Sequence, residues 1–85
     1  MNKMIFINAK FTGIKALIQM SMDTYPEPRY LVEHEKQFYW SAYQDHISKD
    51  QSGHSSREEA LLFANQWKER TTKKGMLKSF EMEGL

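Results

Sequence analysis

Apolar and polar side chains alternate along much of the N-terminal half of this 85-residue chain. In residues 14–22 the apolar side chains fall on every second position, and only Leu17 is out of place. A period of two is typical of a strand with one buried face. A helix is the alternative for this segment, because Ala, Leu, Gln, Met and Lys all favour helices. We expect the strand.

The first few residues also predict a strand. Residues 4–8 are rich in branched and aromatic side chains, which suit a pleated and partly buried surface. The dipeptide Thr12-Gly13 that follows predicts a turn. Residues 4–8 and 14–22 therefore form a first hairpin in this interpretation.

A loop and two further strands are predicted in the middle of the chain. Residues 23–28 contain two prolines, which lack backbone donors and push the preceding residues towards extended conformations. Residues 29–35 and 37–43 then read as strands that are rich in aromatic and branched side chains. Residues 45–55 are polar and predict a loop.

The clearest element is a helix over residues 56–72. Ser56 followed by Glu59 matches the capping-box pattern, and Gly75 suits the position just beyond the helix end. Apolar residues spaced at i, i+3, i+4 and i+7, widened by two leucines, predict a stripe that packs on the core. The stripe comprises Ala60, Leu61, Leu62, Phe63, Ala64 and Trp67.

Strands followed by one helix predict an α+β fold for residues 1–85, as a single domain. We expect a small antiparallel sheet of three to four strands packed on one C-terminal helix. Residues 76–85 are open to three interpretations: an extra strand, a further helix turn, or a flexible tail that docks on a neighbour. One helix covers only part of a sheet, so the other sheet face is either polar or meets a partner.

Composition excludes several classes of protein. The chain has no cysteine, which rules out disulfides, iron–sulfur clusters, thiol nucleophiles and thiolate zinc sites. No apolar run approaches the ~20 residues that a membrane helix needs. We expect a cytoplasmic protein. Its eleven aromatic residues and six methionines are many for so short a chain, which makes a homodimer interface an alternative use for some of them.

Catalytic and metal-binding constellations are not evident. His34, His46 and His54 lack the short, fixed spacings of zinc ligands. Ser55 and Ser56 fit helix capping better than nucleophilic catalysis, and no glycine-rich phosphate loop is present. We therefore expect no catalytic residue, no metal and no cofactor. A small enzyme remains possible only where a pocket gathers one of the histidines with a carboxylate.

The net charge of +1 hides a strong segregation of charge along the sequence. Residues 1–22 carry three lysines and no acid, and residues 68–78 carry five basic side chains and one acidic, a net +4. A positive face made from these segments would attract phosphates, and exposed tyrosines would stack on bases. The predicted nucleic-acid contacts are Lys68, Arg70, Lys73, Lys74 and Lys78, with Lys10 and Lys15 as extensions and Tyr39 and Tyr43 as stacking side chains. A solvated helix end with ordinary surface tyrosines is the alternative.

Tyr25 is the candidate for contact with a protein partner. It lies in the segment Tyr25-Pro26-Glu27-Pro28, where flanking prolines restrict the chain. An exposed aromatic side chain on a stiff loop loses little entropy on binding. A plain rigid turn is the alternative.

The overall character of the chain resembles a known group. A short, Cys-free and Met-rich chain opens with MNKMIFIN, continues through FYWSAY and SSREEALLFANQWKER, and shows no enzyme motif. It resembles small accessory proteins of T4-like bacteriophages, in particular the TifA-like inhibitors of the ToxN endoribonuclease toxin. The resemblance implies a counter-defence protein whose partners are RNA, a host toxin ribonuclease, or both. The alternative is a protein–protein inhibitor or structural homodimer with no nucleic-acid role.

Overall fold

The computed structural model describes residues 5–85, so Met4 of the predicted first strand lies outside the described part. The elements in chain order are β1 (Phe6–Asn8), β2 (Lys10–Met20), β3 (Glu27–His34), β4 (Gln37–Ser41), β5 (His46–Ser48), α1 (Arg57–Lys73) and β6 (Leu77–Glu83). The predicted α+β class is confirmed. Residues 14–22 lie mostly in strand β2, as expected, and no part of them is helical.

Four strands form the main sheet in the order β4-β3-β2-β6, with every neighbouring pair antiparallel. The C-terminal segment supplies one of these strands, since β6 pairs with β2 along its length. This settles the three alternatives for residues 76–85 in favour of an extra strand. The helix connects the β5 region to β6 and lies against the strands β4 and β6.

The predicted turn at Thr12-Gly13 is wrong, because both residues lie inside β2. The register between β2 and β3 shifts between Phe11 and Lys15, and Gly13 has a φ of +94°. A glycine adopts this conformation without a Cβ clash, so the strand passes through a bulge rather than ending.

The predicted first hairpin is also wrong, because β1 pairs with β5 in a separate two-stranded sheet. Ile7 lies opposite Ile47, which is 2% exposed. The main-chain N–H of Ala9 donates to the carbonyl of Asp45 at 2.8 Å, which extends this pairing beyond β1. A short strand therefore occurs within residues 45–55, where the polar composition had predicted only a loop.

The core lies between the helix and one face of the main sheet. Ile14, Leu31 and Ala60 are fully buried and in mutual contact. The helix residues closest to the sheet are small, since Ala60, Ala64 and Thr71 are its buried residues. Small side chains allow close approach of the helix and leave the larger residues at its flanks. The predicted apolar stripe is corrected accordingly: Leu62 and Phe63 are 56% and 43% exposed.

Both helix ends carry the capping features that the sequence predicted. The hydroxyl of Ser56 accepts the main-chain N–H of Glu59 at 3.1 Å, and the Glu59 carboxylate accepts hydrogen bonds from the main-chain N–H and hydroxyl of Ser55. At the other end, Gly75 has a φ of +69°, and its N–H donates to the carbonyl of Thr72. The chain can therefore leave the helix directly into β6.

The hairpin between β3 and β4 turns through only two residues, Glu35 and Lys36. Their φ angles are +50° and +65°, and His34 pairs with Gln37 across the turn. Two positive φ angles are typical of a type I′ turn, whose twist matches that of the flanking strands. Neither residue is a glycine or asparagine, so the turn carries backbone strain.

The molecule is a flat slab of 35 × 34 × 18 Å. The main sheet and the helix form its principal layers, and Val32 and Ile47, which lie outside the cluster under the helix, are buried as well. Within residues 5–85, no helix has the length and apolar character required to cross a membrane.

Candidate nucleic-acid interface

Three segments meet where the helix ends. The main-chain N–H of Ser21, which follows β2, donates to the carbonyl of Met76 at 2.8 Å, and the N–H of Met76 donates to the carbonyl of Thr71 at 3.0 Å. The helix end, the start of β6 and the loop between β2 and β3 are thus bonded together. Five exposed cationic side chains surround this junction, and we call them the basic corner: Lys68, Arg70, Lys73, Lys74 and Lys78.

The cations of the basic corner are distributed over both edges of the helix. The Nζ atom of Lys68 lies 5.5 Å from the ring centre of Phe80 in β6. Lys78 lies where the pairing of β6 with β2 is irregular, between the pairs Gln19–Ser79 and Met20–Leu77. Arg70 and Lys74 are four residues apart and lie along the opposite helix edge.

The positive charge of the basic corner is open to solvent. Within residues 5–85, the salt bridges join Arg29 to Glu27 and the three histidines to neighbouring carboxylates, and none includes a residue of the basic corner. Residues 68–78, which contain the basic corner, include one acidic residue, Glu69. The helix carbonyls contribute partial negative charge that favours cations here, but they do not neutralise full charges.

Lys10 and Lys15 do not extend the basic corner, which corrects the sequence-based expectation. Lys10 starts β2, about 33 Å of extended strand away from Met20 at the corner end. Lys15 lies on the sheet face away from the helix, with Glu83 opposite it on β6. The positive charge of the first 22 residues is therefore separated from that of the helix end.

Tyr39 and Tyr43 are also placed away from the basic corner. Tyr39 alternates with the core residue Trp40, so its ring lies on the sheet face away from the helix, where it packs against Gly53. Tyr43 lies beyond the end of β4 and stacks on His46 at 4.2 Å between ring centres. The structure therefore does not bring these two rings to the helix-end lysines, and base stacking by them stays a prediction.

Tyr25, by contrast, lies at the same end of the molecule as the basic corner. Its side chain is 81% exposed on the loop between β2 and β3. The Gln19 side-chain amide donates to the carbonyls of Asp23 and Thr24 and so supports this loop from β2. The contact role of Tyr25 stays a prediction.

An aromatic cleft borders the basic corner, and the sequence did not reveal it. The cleft has a volume of about 280 Å³ and is lined by Ile18, Arg29, Trp40, Phe63 and Trp67. We call it the aromatic cleft. The indole N–H of Trp40 donates to the main-chain carbonyl of Ala60 at 2.9 Å, which fixes one wall. The i, i+4 spacing of Phe63 and Trp67 predicts that the two side chains share one helix edge. It does not predict that this edge is partly exposed.

The three histidines stay apart. Each lies beside one carboxylate: His46 Nδ1 is 2.7 Å from Asp45, and His34 and His54 are each 3.9 Å from a glutamate. In the described part of the chain, no three His, Cys, Asp or Glu side chains are grouped to hold a metal ion. These pairs lie on different elements and form no shared site.

Glu59 has a shifted acidity with a local cause. The hydrogen bond from the Ser55 hydroxyl lowers the pKa of the Glu59 carboxyl below its ordinary value of 4.5. Desolvation opposes this shift, whereas the main-chain N–H of Ser55 and the charge of His54 add to it. All these groups belong to the start of the helix. The helix cap therefore accounts for the shift.

No protein-family model, curated protein or solved structure matches this chain.

Proposed function

We propose that this chain is a non-enzymatic binding protein of the phage counter-defence type, which associates with RNA through the basic corner. In this proposal it neutralises a host toxin ribonuclease in the cytoplasm of the infected cell. The observation that carries the RNA part is the group of five exposed cations at one end of the molecule, none of them in a salt bridge within residues 5–85. Such a group holds phosphates without reading sequence.

Salt dependence of RNA binding tests this proposal quantitatively. If all five cations contact phosphates of a single strand, the logarithm of the binding constant falls with the logarithm of salt concentration with a slope of about −3.5. Raising the salt fourfold, from about 50 to 200 mM, then weakens binding about 100-fold. Fluorescence anisotropy with a labelled 20-nucleotide RNA measures both values. Absence of binding at low salt, or binding insensitive to salt, contradicts the proposal.

A pair of charge-reversal variants localises the contact. K73E/K74E changes two cations of the basic corner, whereas K10E/K36E makes the same charge change at the opposite end of the molecule, where both lysines border one surface depression. We expect K73E/K74E to weaken RNA binding strongly and to reduce the salt slope by about 1.4 or more. K10E/K36E should have a much smaller effect. Equal effects would show that only the net charge matters.

The toxin part of the proposal is supported by the resemblance to the phage inhibitors. Purification of the protein from cells that produce an endoribonuclease toxin, with and without ribonuclease treatment, tests it. We expect the toxin and RNA to co-purify, and K73E/K74E to reduce both the recovery of toxin and the rescue of cell growth. Growth arrest that the wild-type protein does not relieve would contradict this part alone.

The exposed edge of β6 supports a second candidate, a homodimer or protein–protein inhibitor with no nucleic-acid role. Within residues 5–85, β6 pairs on one side only, with β2. A strand edge offers main-chain donors and acceptors to a second chain. Light scattering distinguishes this candidate: a monomer that binds RNA argues against it, and a dimer without RNA affinity supports it.

A further inference from the structure

We propose that the aromatic cleft receives one unpaired base of a bound RNA, whose neighbouring phosphates are held by the basic corner. This inference rests on the proposed RNA association and adds to it a preference for single strands. It identifies the class of ligand group, a planar nucleobase, and the residues that hold it.

The lining of the cleft suits a flat ring. Three of its lining residues, Trp40, Phe63 and Trp67, are aromatic, and Phe63 is 43% exposed. Base–aromatic stacking tolerates every base because every base has a π-face. The volume of about 280 Å³ lies just below the range of pockets for drug-sized ligands, which favours a single ring system.

The charge beside the cleft comes from Arg29, which is paired with Glu27, and from the neighbouring basic corner. Arg29 lines the cleft with a side chain that is 38% exposed, and one of its nitrogens is 3.3 Å from Glu27. A guanidinium has five N–H donors, so donors remain for a phosphate or a base edge.

One helix edge connects the cleft to the basic corner. Phe63 and Trp67 are followed along this edge by Arg70 and Lys74, at spacings of three or four residues. From Trp67 to Lys74 the rise along the helix is about 10 Å. The edge therefore presents two aromatic side chains and then two cations in line, so a strand with a base in the cleft continues over the basic corner.

Intrinsic fluorescence reports directly on the cleft, because both tryptophans of the chain line it. The probes are an eight-nucleotide oligoadenylate, an abasic ribose-phosphate oligomer of equal length and charge, and a duplex of that length. We expect oligoadenylate to quench the fluorescence and to bind more tightly than the abasic oligomer or the duplex. Equal quenching by the abasic oligomer overturns the inference.

Substitution of Phe63 completes the test. F63A and F63L remove the ring, and both should weaken oligoadenylate binding about 5-fold or more while leaving the abasic affinity and the salt slope unchanged. L62A is the matched control, since Leu62 is an exposed helix residue that does not line the cleft. Circular dichroism verifies the folding of each variant.

The possible failures are distinguishable. If the wild-type protein binds neither oligomer at low salt, the RNA proposal and this inference both fail. If it binds both oligomers equally and F63A and F63L bind as the wild type does, the inference alone fails. If F63A keeps its RNA affinity but loses recovery of a toxin, the cleft takes a protein side chain and the inference is overturned.

Discussion

Trp40 in β4 and Ala60 in the helix are joined by a hydrogen bond from the indole N–H to the main-chain carbonyl, at 2.9 Å. Ala60 is fully buried, and Trp40 packs against the same core cluster. This bond fixes the separation of helix and sheet on the side where the aromatic cleft opens. The cleft is therefore a consequence of how the helix is attached, not of a mobile loop.

Replacing Trp40 by Phe should lower the free energy of unfolding by about 1–2 kcal/mol, because the hydrogen bond is lost together with part of the buried ring. Urea unfolding followed by circular dichroism measures this change. Tyr43→Phe is the control, since the Tyr43 hydroxyl makes no hydrogen bond with residues 5–85, and it should change stability by less than about 0.5 kcal/mol. Equal stability of Trp40→Phe and the wild type would contradict the assigned role of the bond.

Replacing Glu35-Lys36 by Asn-Gly should stabilise the protein. Both residues have positive φ angles in the turn between β3 and β4, and Asn-Gly adopts this conformation with less strain. We expect a gain of about 1 kcal/mol, which raises the thermal midpoint by about 4–8 °C in a domain of this size. Calorimetry measures the midpoint, and Lys36→Pro should lower it, because proline holds φ near −65° and residue 36 has a φ of +65°. An unchanged midpoint for Asn-Gly would show that the turn is unstrained.

The helix cap predicts a pH dependence. The pKa of Glu59 is lower in the folded protein than its ordinary value of 4.5, chiefly because the Ser55 hydroxyl donates a hydrogen bond to the carboxylate. The folded state therefore binds fewer protons than the unfolded state, and stability rises with pH in this range. The contribution is present above the unfolded pKa and is lost as pH falls through the folded pKa.

Thermal midpoints measured between about pH 3 and pH 6 test this dependence. In Glu59→Gln the midpoint should vary less with pH than in the wild type. Glu58→Gln is the matched control, because Glu58 is also an acid of the first helical turn but has no contact with Ser55. Identical pH profiles for Glu59→Gln and the wild type would contradict the assigned cap.

Replacing Gly53 by Ala, which adds one methyl group, should lower the free energy of unfolding by about 1–3 kcal/mol. An added Cβ would lie 2.6 Å from Cε1 of Tyr39 and 2.7 Å from its Cζ, so the ring must move. Truncating the ring in Tyr39→Ala should relieve most of this conflict, because the remaining close atom is Oε1 of the flexible Gln37 side chain at 2.9 Å, so Gly53→Ala should cost less in that background. A double-mutant cycle in urea measures the coupling, and additive effects would show that the two residues do not touch.

Local sequence signals predicted much of this fold. Ser56 and Glu59 located the helix start, and the alternation from Ile14 to Met20 located the central strand, because caps and periodicity act over a few residues. The bulge at Gly13 and the three-residue strand β5 were missed. Their existence depends on pairing with distant segments, which a local pattern does not contain.

The candidate site was likewise predicted only in part from the sequence. The cations from Lys68 to Lys78 lie together because one helix end and one short connection place them. The positions of the Lys15 and Tyr39 side chains relative to the basic corner depend on which sheet face the helix covers. The sequence does not determine that face. The exposure of Phe63 follows from the small residues Ala60 and Ala64, which occupy the centre of the helix contact.

The bond between Ser21 and Met76 has a consequence for kinetics. It anchors the backbone beneath the lysines to the sheet, so an approaching polyanion meets ligands whose main chain is already fixed. In the proposed RNA association, capture then needs little ordering of the protein, and long-range attraction governs the speed of encounter. The proposal therefore implies a fast association rate that falls as the salt concentration rises.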